Sequence, residues 1–527
     1  MVKDILNSQT SRTRGTDAQN SNIEAAKAVA EIVKSTLGPM GMDKMLIDSS
    51  GETVITNDGV KILKEMEIEH PGARILVEVA KTQETEVGDG TTSAVILAGE
   101  LLSQAQKLLS QKIHPTNIVQ GYKIAAKKTL EILEKCAISI DVKNKKALTD
   151  IAETAMTGKV ADLSKEKLAE LLFELCELIG EKEFIPKDKI KIIKISGGEI
   201  KDSNIIKGIV LDKNPANPNV PTKIKNSKIL LVDFPLEIRE LDNQAKININ
   251  SVSEYEQFLS HEQSYLKSMA EKIKEIGANV VVCQKGIDDE IAYYLAKSGI
   301  LCVRRARKSD IEKLSFALNN KIVSSYEDMI PENLGSAKLT EIKEMLGEKF
   351  IIISGCANPK AVTLMLKAST QHVLDELERA IDDAIGDLSS ILKSKKIVAG
   401  GGAIELELHK ELLKYAKTFD GKNQLIVNSF AESFLSIPKT LCNNCGLDEI
   451  ESMTKLISMH EKGDKMAGIN GFKGVVKDTI KEGIVEPINI KSQAIKSASE
   501  SCSMLLRIDD IIAAKRLSLD ENFNKDF

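Results

Sequence analysis

Helical periodicity dominates both ends of this chain, and strand-forming runs are concentrated in its middle. Near the start, Ile23, Ala26, Ala30, Val33 and Leu37 recur at three- and four-residue spacing. That spacing predicts a helix over 22–37, which Gly38-Pro39 stops. Pro71 opens another helical pattern to about residue 85, and long amphipathic patterns continue to about 141 and again over 404–518. Between 190 and 303, Ile192-Ile193, Ile229-Leu230-Leu231-Val232, Val280-Val281-Val282-Cys283 and Leu301-Cys302-Val303 alternate with helical stretches, as in a mixed or parallel sheet. Pro215, Pro218 and Pro221 read as a stiff connection near a boundary. The 527 residues exceed the roughly 150-residue modal domain several times over, so a multi-domain α+β protein is expected.

Charge and composition narrow the partners. Seventy-two basic against 77 acidic residues give a net charge of −5, which argues against nucleic acid or an anionic membrane as the main partner. Aromatics are 4% with no Trp, too few for base-stacking platforms. The first 22 residues hold no apolar signal core, and the longest apolar runs, such as 94–98 and 350–353, fall far below the roughly 18 residues of a membrane span. A soluble, cytoplasmic protein is expected. The eight cysteines suit reduced core thiols. Cys442 and Cys445 have the spacing of half a zinc site, but no second ligand pair completes it, so they read as structural.

Five segments stand out along the chain. In Gly88-Asp89-Gly90-Thr91-Thr92-Ser93, glycines flank an acid just before a helical pattern. Backbone N–H groups there could turn inward around a phosphate, with Asp89 holding Mg²⁺. The same residues also suit a plain turn with a hydroxyl helix cap. Gly400-Gly401-Gly402 permits close approach of a ligand or serves as a flexible joint. Asp382-Asp383 reads as solvated surface. Val54-Ile55-Thr56 and Val60-Lys61-Ile62 flank Asn57-Asp58-Gly59, which predicts a hairpin. Over 253–276, Ser253 and Glu256 suggest a capping box, and Tyr255, Phe258, Leu259, Leu266, Met269, Ile273 and Ile276 form a helical apolar stripe. There is no Gly-x-x-x-x-Gly-Lys-Ser/Thr loop and no kinase-type His-Arg-Asp loop.

Together these segments resemble the group II chaperonins. The resemblance rests on Leu37-Gly38-Pro39 before Gly41-Met42-Asp43-Lys44-Met45, on Thr56-Asn57-Asp58-Gly59, on Glu78-Val79-Ala80-Lys81-Thr82-Gln83 and on Val87-Gly88-Asp89-Gly90-Thr91-Thr92. Thr157-Gly158-Lys159, Cys283-Gln284-Lys285-Gly286-Ile287-Asp288, Gly400-Gly401-Gly402-Ala403 and Gln493-Ala494-Ile495-Lys496-Ser497-Ala498 follow in family order. Thr13-Arg14-Gly15 with Asp17-Ala18-Gln19 is similar to the archaeal members. The chain departs from the family at Gly471, where a larger apolar residue is usual, and in its tail 522–527, which lacks Gly-Gly-Met repeats.

The resemblance implies a mainly helical equatorial ATPase domain from 1–145 and 401–527, and a small intermediate hinge domain from 146–213 and 366–400. It also implies an α/β apical domain over 214–365 with a helical protrusion near 245–276. It implies a Mg²⁺-dependent ATP hydrolase that drives a built-in lid. Identical or paralogous subunits would stack in two rings and enclose unfolded client polypeptides. Leu37, Gly38 and Pro39 would line the phosphates, and Gly90, Thr91, Thr92 and Ser93 would donate to phosphate oxygens. Asn57 would join the ATP-binding set, Asp89 would ligate Mg²⁺ and Asp58 would sit beside the γ-phosphate. Asp383 would orient or deprotonate the attacking water, Lys159 would sense the γ-phosphate, and Gly402 and Glu486 would approach the nucleoside. Phe258 and Leu259 would belong to the lid or client surface. A small-molecule kinase and a binding scaffold with a degenerate ATP site are the competing readings.

Overall fold

The helical ends of the chain fold with each other, and the strand-rich middle folds by itself. In the computed structural model, which describes residues 10–47, 51, 53–181, 183–238, 252–345, 347–356 and 360–514, Met1–Lys165 joins Arg379–Phe527 in one unit and Glu166–Glu378 forms another. The stretches 146–213 and 366–400 fall partly in each unit. The first seven residues, the start of the predicted protrusion at 245–251 and the tail 522–527 lie outside the described residues.

In the first unit, helices Thr16–Lys34, Pro71–Val87, Thr91–Ser110, Pro115–Cys136 and Ile488–Leu506 close around one core. Helix Thr91–Ser110 buries residues on nearly every side, which accounts for the unbroken apolar run at 94–98. Tyr122 is fully buried against Phe430, and its hydroxyl donates to Leu101 O at 3.0 Å, so its polar tip is satisfied inside the core. Prolines 71 and 115 stand at first helical positions, where their missing N–H costs nothing, and His70 and His114 cap those helices.

The second unit holds a six-stranded sheet in the order Leu301–Val303, Val280–Cys283, Lys223–Val232, Gly335–Met345, Glu348–Cys356, Gly208–Leu211. Its first three strands are parallel and the rest antiparallel, the mixed sheet that the pattern predicts. Ile229 and Leu231 turn to a face covered by helix Lys308–Leu318, whereas Leu230 and Val232 turn to helices Val252–Glu275 and Asp289–Lys297. Both faces are covered, so these strands read as continuous apolar runs. Leu266, Met269 and Ile273 pack there, each burial contributing about 1.5–3 kcal/mol. The start of the same helix differs: Val252 is exposed and Phe258 half-buried, and the side chain of Leu259 lies outside the described set.

Several sequence expectations are corrected. The predicted 22–37 helix runs over Thr16–Lys34 instead, because Gly15, at φ 62°, starts the chain helically through polar residues, and Leu37 has already left the helix. The predicted hairpin around 57–59 does not form. Thr53–Thr56 pairs with Lys44–Ile47, and Gly59–Glu65 is a helix. Asp58 is its cap, accepting from Val60 N at 3.1 Å and Lys61 N at 3.3 Å, and a carboxylate so engaged ends a strand by starting a helix. The helical pattern over 404–518 is interrupted by short strands and ends at Leu506, after which Asp510–Ala514 pairs with Thr10–Arg14. All eight cysteines are free thiols. Among the described residues no helix is long and apolar enough to cross a membrane.

Candidate functional site

Two left-handed glycines shape the acidic loop. Gly88, at φ 87°, ends helix Pro71–Val87, and Gly90, at φ 76°, starts helix Thr91–Ser110. The start of the second helix has no side-chain cap, contrary to the hydroxyl cap considered above. Its first N–H groups therefore remain available to an anion, in the direction the helix dipole favours. Gln83, fully buried, donates to Asp89 O at 2.9 Å and Ile490 O at 3.1 Å, fixing the loop against helix Ile488–Leu506.

Close backbone approach brings the other motifs to this loop. A Cβ on Gly59 would lie 2.6 Å from Thr92 Oγ1, so the Asn57-Asp58-Gly59 segment lies against Thr91 and Thr92. Asn57 Nδ2 donates to Gly158 O at 2.9 Å, and a Cβ on Gly158 would lie 2.9 Å from Pro39 Cα. Asn444 Nδ2 donates to Leu37 O at 2.8 Å. The Leu37-Gly38-Pro39, Asn57-Asp58-Gly59, Gly158-Lys159 and Thr91-Thr92 segments are thereby linked one to the next, with Gly90 and Ser93 on the same helix start as Thr91 and Thr92, next to Asp89 in the chain.

Asp383 reaches the same place from helix Gln371–Ser394. Gly386 of that helix packs on Gly88, where a Cβ on either would come within 3 Å of the other's Cα. Lys159 Nζ and Asp383 Oδ2 are 2.5 Å apart in a largely buried ion pair. Reading Asp382-Asp383 as solvated surface is corrected for Asp383, because the glycine contact draws its face of the helix inward. Burial pushes Asp383 upward, with Asp89 and Asp58 adding repulsion against the pull of Lys159. Burial would lower the Lys159 ammonium, but Asp383, Asp89 and Asp58 overcome it and hold the group above its ordinary value. Burial also raises Asp58. One turn beyond Asp383, Asp387 is 2% exposed, one of its oxygens has no hydrogen-bond partner, and burial, Asp89 and Asp383 raise it well above a normal carboxylate.

The second glycine segment lies between strand Lys396–Ala399 and helix Ala403–Ala416. Gly401 and Gly402 have φ of 63° and 78°, and Gly402 begins its helix without a side-chain cap. Glu486 is registered opposite Val398, beside this segment. A Cβ on Gly471 would lie 2.5 Å from Pro39 Cγ and Cys445 Sγ, so the glycine there leaves room for the phosphate-side loop. Phe258 and Leu259 belong to the other unit.

Sequence reading missed the contributions of Gln83, Gly386 and Asp387. The i, i+4 spacing from Asp383 was the signal for Asp387. Among the described residues no group of three or more His, Cys, Asp or Glu side chains is disposed to hold a metal by itself. The donor set fits Mg²⁺ of the kind that takes one or two carboxylates and completes its shell with phosphate and water oxygens.

The TCP-1/cpn60 chaperonin family model matches residues 29–516. A thermosome subunit of Methanopyrus kandleri is 49% identical over 96% of this chain and 93% of its own. Thermosome subunits of Pyrococcus horikoshii and Methanocaldococcus jannaschii are each 48% identical, over 99% and 98% of this chain respectively and 96% of their own.

Proposed function

The chain belongs to the TCP-1/cpn60 chaperonin family, and from that membership and the acidic pocket we propose that it is an ATP-hydrolysing subunit of a double-ring folding chamber that encloses non-native polypeptide. It is a chaperonin subunit acting in ring-based protein folding. The observation that carries the ATPase reading is the buried Lys159–Asp383 pair facing Asp58 and Asp89 at an uncapped helix start.

The chain's own groups divide the work. N–H groups from Gly90 to Ser93 and the Leu37-Gly38-Pro39 backbone cradle phosphate oxygens, and Asn57 holds the adjoining backbone in place. Asp89 would hold Mg²⁺, which would neutralise phosphate charge during transfer to water, and Asp58 would sit beside the γ-phosphate. Asp383, biased toward holding a proton by burial, accepts one from the attacking water and orients it. Lys159 exchanges part of its hold on Asp383 for the γ-phosphate, a contact that ADP does not offer. Gly402 and Glu486 flank the nucleoside.

In this reading 1–145 and 401–527 form the equatorial ATPase domain, 146–213 and 366–400 the hinge, and 214–365 the apical domain. The start of helix Val252–Glu275, where Val252 is exposed and Phe258 half-buried, serves the lid. The test is ATP-dependent refolding of a denatured client by the purified particle, with native mass measured alongside. About eight subunits in each of two rings, or about 0.9 MDa, with refolding that requires ATP and Mg²⁺, is the expected result. A small particle that phosphorylates a metabolite would return the chain to the kinase reading.

A further inference from the structure

Lys491 sits on the first turn of helix Ile488–Leu506 and is 7% exposed. Its Nζ donates to Glu405 Oε1 at 2.8 Å and to Glu486 Oε2 at 2.7 Å. Glu405 is 5% exposed, and its second oxygen has no partner. A buried and a half-buried carboxylate thus share one buried ammonium, a poor arrangement for stability alone, since desolvating the extra charge costs more than the pair recovers. Glu486 differs from Glu405 in one respect: its side chain retains 23% exposure. With Oε2 fixed by Lys491, its Oε1 lies beside the glycine segment, where a Cβ on Gly400 would come within 3.2 Å of it. The glycine is what lets that oxygen approach.

We propose that Lys491 is a positioning residue that fixes the rotation of Glu486, so that its second oxygen accepts from the vicinal hydroxyls of a ribose and the site selects ribonucleotides over deoxynucleotides. The proposal rests on the nucleotide reading above. An untethered glutamate has three side-chain torsions to order on binding, whereas a tethered one presents its acceptor in advance. Lys491 touches no ligand and acts through Glu486 alone. Gln83 ties the adjoining Ile490 to Asp89, so the sugar-side and phosphate-side acids are held at a fixed separation.

The experiment measures, by calorimetry on the assembled protein with Mg²⁺, the affinities of ATP, 2′,3′-dideoxy-ATP and inorganic tripolyphosphate. Native protein should prefer ATP to the dideoxy analogue by on the order of tenfold, the usual worth of hydrogen bonds to a charged acceptor. Lys491→Met should erase that preference, leave tripolyphosphate binding unchanged, and have no further effect on the preference in a Glu486→Gln background. Equal weakening of all three ligands would show a purely structural ion triad and overturn the proposal, as would an intact preference. If Lys491→Met does not assemble, Glu405→Gln carries the test. It leaves Lys491 to Glu486 alone and should keep the preference, and loss of preference there would overturn the assignment. Native protein that binds neither ATP nor tripolyphosphate would instead refute the nucleotide reading itself.

Discussion

Asp89, in the loop between helices Pro71–Val87 and Thr91–Ser110, and Asp383, on helix Gln371–Ser394, belong to one charged cluster and should fail differently when removed. Asp89→Ala should weaken Mg²⁺-dependent ATP binding, since a metal bridge is lost rather than a proton acceptor. Titration of ATP with and without Mg²⁺ checks this, and equal affinity in native and mutant protein would remove Asp89 from the metal role. At this scale the sequence is legible where conformation demands one residue type. Gly88 and Gly90 announce positive φ, and an acid between them announces charge. Asp58 shows the limit. Asn-Asp-Gly suits a hairpin turn and a helix cap through the same short side-chain chemistry, and only the pairing of Thr53–Thr56 with Lys44–Ile47 decides between them. Asp383 shows another: its burial depends on Gly386 meeting Gly88, nearly three hundred residues earlier in the chain.

Elements carry the pocket because their ends are anchored in the core, and one anchor makes a testable pH signature. Glu407 on helix Ala403–Ala416 is 1% exposed and contacts His460 Nδ1 of helix Glu449–Glu461 at 3.1 Å. His460 Nε2 donates to Ala467 O at 2.8 Å. Burial would raise Glu407, but His460, Lys410 and Lys465 outweigh it and hold the carboxyl below its ordinary value. A carboxyl lowered by folding contributes stability above its unfolded value of about 4.3 and loses it as pH falls through the folded value. The thermal midpoint of native protein should therefore drop on acidification below about pH 5. Glu407→Gln should start lower at neutral pH and show a flatter acid limb. Parallel midpoint curves for the two proteins would contradict the assignment. Long periodic helices were legible in the sequence, whereas short strands such as Asp510–Ala514, with partners at the far end of the chain, were not.

At the scale of the whole molecule, helix Val252–Glu275 has a packed end, with Leu266, Met269 and Ile273 in the core, and a start where Val252 is exposed, and in the proposed reading this separates stability from client handling. In the proposed reading, replacing Phe258 and Leu259 with Ser should leave the thermal midpoint, assembly and ATP hydrolysis in place while abolishing enclosure of an unfolded client, because apolar side chains of a lid or client surface serve association rather than folding. A midpoint lowered as core truncation lowers it, by several kcal/mol of stability, would return those side chains to the core. In the proposed reading chamber function depends in turn on the acidic site, since only a nucleotide contact that differs between ATP and ADP can bias one conformation over another. ATP turnover by the assembled Asp383→Ala particle tests that dependence most directly. The account predicts turnover reduced by roughly a hundredfold or more with ATP binding retained, and turnover at the native rate would contradict it.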